Sequence, residues 1–213
     1  MTAGPVKRAL LWPKARSLPW RLLAAAGGLG LLLAVVIRLT APDVGPDAAL
    51  TLLRMAALCG ALGVAFVLDD PARETTAVLP VPRAVRQVLR LSLVLPLATV
   101  WWVTVLGVAG AAGLGLPVGT VTLETAALFA MAFALASMAV RFTGMTSPGP
   151  AVAGTLLALI VSAAELPPDE LTLFVPAGGD GRERAHLAWA LLLALAVTAW
   201  AACGREPRRP RWR

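Results

Sequence analysis

Residues 48–68 read AALTLLRMAALCGALGVAFVL and hold a single charged side chain, Arg54. A helix rises about 1.5 Å per residue, so a run of this length matches the roughly 30 Å hydrocarbon core of a bilayer. The run shows no alternation of period two and is far longer than an ordinary strand, which leaves a buried or membrane-spanning helix. Five further apolar runs lie outward from it, at 20–39, 91–112, 121–140, 148–166 and 185–204. The third run of the chain carries Pro96, where a kink is expected. In the fifth, only 151–164 is free of polar punctuation, and it needs Pro148 and Leu166 to reach bilayer length. The chain therefore reads as an all-α polytopic membrane protein, one domain over 1–213 with about six transmembrane helices.

Composition agrees. Hydrophobic residues make up 58% of the chain and charged residues 15%, against about 45–50% and 25% in soluble domains. The formal charge of +7 would suit nucleic acid if the basic groups formed a patch. They mark the ends of the apolar runs instead, so no nucleic-acid partner is expected. Cys59 and Cys203 stand alone in apolar surroundings and His186 is the one histidine. Neither a disulfide framework nor a zinc site can be built from these, and both cysteines read as small buried hydrophobes.

Orientation follows from the basic residues of the short connecting loops. With the N-terminus inside, the cytoplasmic side holds Lys7, Arg8, Lys14, Arg16 and Arg21; Arg73, Arg83, Arg86 and Arg90; Arg141; and Arg205, Arg208, Arg209, Arg211 and Arg213. The outer side holds Arg38, Arg182 and Arg184. Fifteen against three places both termini in the cytoplasm and requires an even number of crossings. A basic interfacial N-terminus (1–19) then precedes the first span, which is too long for a cleaved signal peptide and reads as a retained anchor. A basic tail (205–213) follows the last span. Anionic lipids of the cell membrane are the partners such basic flanks attract. The outer segment 165–184 reads either as a plain loop or, at Leu171, Leu173, Phe174 and Val175, as a short interfacial helix.

The cytoplasmic loop 69–90 is the most informative polar stretch. Asp70 followed by Pro71 is a good helix start, because the carboxylate can cap free N–H groups and proline loses nothing at the first helical position. Pro80 ends the helix so begun, which spans 71–79. Beyond Pro82, Arg83, Arg86 and Arg90 fall on one face of the helix leading into the third span. Two charges, Arg54 and Glu124, lie inside apolar runs, each about two turns from the outer end. Intramembrane charges are functional candidates; these two either pair, snorkel to the headgroups, or line a substrate path. Trp101 and Trp102 fall near mid-membrane rather than at an interface, and either line a hydrophobic path or pack within the bundle. Rows of small residues (Gly60 and Gly63; Gly107 and Gly110; Ala126, Ala130 and Ala134) permit close helix contact.

Six spans, cytoplasmic termini, the basic stretch from Val6 to Trp20 and the loop from Leu68 through Asp69, Asp70 and Pro71 to Arg83 together resemble the membrane subunit of an ABC transporter of the type-2 exporter class, as found in high-GC bacteria. The resemblance implies a permease forming part of an export path, as a homodimer or with a homologous second permease. It further implies a separate nucleotide-binding ATPase that docks on a coupling helix between the second and third spans. Asp69, Asp70, Arg73, Glu74, Thr75, Thr76, Arg83 and Arg86 would then couple to that ATPase. A different class, a non-transporting scaffold or accessory subunit anchoring a cytoplasmic partner, fits the same topology. Enzymatic readings find no support: there is no Gly-Lys pair for a phosphate-binding loop, no second histidine for an intramembrane metalloprotease, and no serine triad. The stretch from Asp180 to Ala185 reverses the Ala-Arg order of the alcohol phosphotransferases and lacks their later aspartates. No cofactor is expected.

Overall fold

In a computed structural model, residues 19–43, 45–69, 83–165, 173–176, 179 and 181–204 are described, with the side chains of 83–86 left aside. Helix accounts for 84% of them and no strand occurs among them. Six α-helices follow one another: α1 (Trp20–Thr40), α2 (Pro46–Ala65), α3 (Arg83–Gly110), α4 (Val118–Phe142), α5 (Gly149–Glu165) and α6 (Arg182–Gly204). Five of these, all but α5, are long and apolar enough to cross a membrane. The chain is a membrane-embedded helical protein.

The helix ends follow local chemistry. Pro46 opens α2 with Asp47 in its first turn, where a missing N–H costs nothing and a carboxylate meets the positive end of the helix dipole. At its other end α2 tightens into a 3₁₀ turn, Phe66–Leu68. Between α3 and α4, Gly113 and Gly115 take φ of 71° and 61°, a backbone region open to glycine and strained for other residues. Arg141 and Arg38 sit in the last turns of α4 and α1, complementing the negative helix ends.

Helix α3 runs from Arg83, taking in the arginines expected on the helix that leads into the third span, and continues unbroken through Pro96 for 28 residues, about 42 Å. Its first turns are polar but hold no helix breaker after Pro82. Helix α5 is described over 17 residues, Gly149–Glu165, about 25 Å, close to the expected run at 148–166.

Helices α2 and α4 form the centre. Half of the apolar window of each is buried, against 17%, 17% and 11% for α1, α3 and α6. Alanines 49, 56, 57 and 61 of α2 and 127, 132 and 136 of α4 are fully or almost fully buried, and such small side chains let backbones approach closely. Around this pair, α1 packs on α2 and α3, α6 packs on α4, and α5 bridges α4 and α2. Buried hydroxyls are satisfied within α4: Thr125 donates to the Val121 carbonyl and Ser137 to that of Phe133. Helix α3 meets α2 and α6 only lightly.

Candidate functional site

The two intramembrane charges meet. Arg54 lies eight residues into α2, about 12 Å from its start, and Glu124 six residues into α4, about 9 Å; these matched depths bring them side by side. Arg54 Nε donates to Glu124 Oε2 and Nη2 to Oε1, each at 2.9 Å. This is the parallel two-bond geometry in which guanidinium and carboxylate bind most strongly. Glu124 is 1% exposed. The Arg54 Nη2 also donates to the Val175 carbonyl at 3.0 Å, and its guanidinium lies 5.4 Å from the centre of the Phe174 ring.

Residues 173–176 thus form a strap over the pair. They are non-helical, as a plain connecting loop would be, but Leu173 and Val175 are buried; the rest of the segment expected as loop or interfacial helix lies largely outside the described residues. Trp189 of α6 donates its indole N–H to the Leu173 carbonyl at 2.9 Å and meets Phe174 edge-on, at 5.7 Å. One short segment therefore ties α2 to α6 across α4. No sequence pattern announces it, because each anchor is a backbone carbonyl whose partner lies on a distant helix.

At the opposite end of the bundle, three helices are joined by two polar contacts. Asp69 Oδ1 accepts from the Gly149 N–H at 2.8 Å, capping α5 across the bundle. A Cβ on Gly149 would collide with the Phe66 ring and the Asp69 carboxylate, so glycine is required for this approach. Arg90 of α3, 8% exposed, donates from Nη1 to the Val67 carbonyl at 3.0 Å. Burial pushes the Asp69 carboxyl above its ordinary range, opposed by the Gly149 N–H and the Arg90 charge. Of the coupling residues expected from sequence, Asp69 takes this capping role. The backbones of Arg83 and Arg86 lie in the first turns of α3. Asp70, Arg73, Glu74, Thr75, Thr76 and the helix expected over 71–79 lie outside the described residues, as do the basic termini. Arg141 holds the last turn of α6 from the same end, donating to the carbonyls of Ala202 and Cys203 at 2.6 and 2.9 Å.

Trp101 and Trp102 both find acceptors for their indole N–H. Trp101 donates to the Gly27 carbonyl at 2.9 Å and Trp102 to the Thr122 hydroxyl at 3.2 Å. The Trp101 ring fills a slot where α1 and α2 carry no side chain. A Cβ on Gly30 would sit 2.5 Å from it and one on Gly60 2.6 Å away. Phe129 stacks on the ring at 6.2 Å. Gly63 serves close packing against Ala26 of α1, whereas Gly107 and Gly110 have no neighbour within 4 Å of the Cβ position. Each tryptophan also borders an apolar cavity. One, of about 390 Å³, lies between α1, α2 and α3; the other, of about 410 Å³, lies between α3, α4 and α6.

Both cysteines are free and half-buried rather than fully enclosed. Among the described residues no three His, Cys, Asp or Glu side chains converge in a way that could hold a metal ion. In comparisons with known proteins, no family model, curated protein or solved structure matches the chain.

Proposed function

We propose that the chain is the permease subunit of an ABC-type exporter, embedded in the cell membrane with six crossings and both termini in the cytoplasm. It works with a separate ATPase, paired with a second copy or a homologous permease. On this reading α5 is the short sixth crossing, set in a locally thinned bilayer. The excess of Arg and Lys on one side of the bundle supports the orientation.

The observation that carries the proposal is the anchoring of both flanks of segment 70–82. On one flank Asp69 caps α5. On the other α3 begins at Arg83 as a single helix, bonded to the end of α2 through Arg90 and the Val67 carbonyl. With both flanks anchored, a displacement delivered at Asp69 or at Arg83 passes into α2, α3 and α5. A tethered scaffold needs no such rigid joint.

The test is to reverse Arg73 and Glu74 together, or to replace Thr75 and Thr76 with leucine, and to follow membrane insertion, co-purification of an ATPase and transport. Insertion should persist while the ATPase is lost or its hydrolysis no longer drives transport. If neither co-purification nor transport changes, the scaffold reading replaces this one.

A further inference from the structure

We propose that the cavity between α3, α4 and α6 binds an uncharged lipophile with one oxygen acceptor, taken in sideways from the bilayer. The inference goes beyond transport, since binding requires no ATPase.

Size and shape come first. At about 410 Å³ the cavity falls within the roughly 300–1,000 Å³ of small-molecule sites. Its wall on α4 runs from Thr122 to Phe133, about 16 Å along the helix, which suits an extended chain. Leu95 of α3 and Val197 of α6 border it and are 57% and 46% exposed. Its mouth therefore opens on the outer surface of the bundle, where acyl chains surround an embedded protein.

Chemistry narrows the occupant further. Among the described residues no charged side chain lines the cavity, so an ionic head would lose its hydration with nothing there to replace it. The three hydroxyls in the wall, Thr99, Thr122 and Thr125, already donate to the carbonyls of Leu95, Val118 and Val121. Trp200 is different. It borders the cavity beside Phe133, and its buried Nε1–H has no acceptor among the described residues. The indoles of Trp101, Trp102 and Trp189 are each matched. A buried donor without a partner is costly, and a turn of the Trp200 indole toward the cavity offers it to an ester or hydroxyl oxygen at that end while the hydrocarbon extends toward Thr122.

The probe is a monoacylglycerol with a photoreactive diazirine in its chain, offered to the full-length protein in phosphatidylcholine nanodiscs beside the corresponding fatty-acid anion. Labelling by the neutral probe should saturate, map to 122–133 and 193–200, and be displaced by unlabelled monoacylglycerol. The anion should label about tenfold less, since charge in hydrocarbon is strongly disfavoured. Ala126 and Ala130 border the cavity outside the tightly packed core, so Ala126→Leu with Ala130→Leu fills it from within and should weaken labelling about tenfold. Trp200→Phe keeps the ring and removes the donor, and should weaken binding of the monoacylglycerol about fivefold. Even, unsaturable labelling over all exposed helix faces would mean annular lipid only and would overturn the site. So would undiminished labelling of the filled variant, or equal labelling by the anion. Unchanged affinity in Trp200→Phe would overturn the acceptor.

Discussion

Arg54 and Glu124, 70 residues apart in sequence, close on each other through two hydrogen bonds of 2.9 Å, with the glutamate almost wholly enclosed. Removing either partner strands the other charge in a medium that cannot solvate it. Arg54→Leu and Glu124→Leu should each cost about 3–5 kcal/mol, and the double variant should recover much of the loss. Thermal unfolding in one detergent reads this directly; losses that simply add would show that the pair does not act as a unit.

The slot around Trp101 gives a second outcome. Gly60→Leu forces a side chain where the indole and Phe129 already lie, so it should destabilise by about 1–3 kcal/mol through overpacking. Combining it with Trp101→Ala should cost less than the two single changes added together, because the new side chain takes the space of the indole while Phe129 remains. A double variant as unstable as that sum would contradict the packing described.

Asp69 separates capping from charge. Asp69→Ala leaves the Gly149 N–H without its acceptor and should cost about 1 kcal/mol; Asp69→Asn keeps an acceptor oxygen and should not. The pH dependence has a definite sign. Because burial holds the folded carboxyl above its unfolded value, the native state takes up the proton first, so ionisation subtracts stability as pH rises through the folded value. Asp69→Asn should therefore match or exceed the parent at pH 7.5, and the difference should vanish in acid below the unfolded pKa. Unfolding midpoints at both pH values check this, and a loss at pH 7.5 as large as that of Asp69→Ala would refute it.

Topology is tested with single cysteines in a Cys59→Ala, Cys203→Ala background. Thr2→Cys, Thr76→Cys and Arg209→Cys should be labelled only from the cytoplasm, and Val44→Cys and Gly179→Cys from outside. Labelling of position 209 from outside would leave an odd number of crossings.

Much of this arrangement was legible in the chain itself, and the reasons differ from part to part. The apolar runs announced the helices because bilayer length is a strong constraint, and equal depths suggested that Arg54 and Glu124 share a level. Trp101 was visible as an anomaly, yet its explanation lay in two glycines of other helices, Gly30 and Gly60, whose facing only the folded bundle settles. The strap at 173–176 and the cap of Asp69 on Gly149 were illegible, since each depends on backbone groups brought together from distant parts of the chain. Sequence pattern reports what a segment prefers alone, and these contacts belong to no single segment.

The 70 residues between Arg54 and Glu124 also impose a timetable on biosynthesis. A ribosome adding about 5–20 residues per second needs roughly 4–14 s to make that interval. During that time α2 has left the exit tunnel with an arginine and no carboxylate to meet it. At the centre of a bilayer such a residue is disfavoured by about 2.5–3.5 kcal/mol on insertion scales. The cost of carrying Arg54 in the nascent α2 is therefore lifted only when α4 arrives with Glu124.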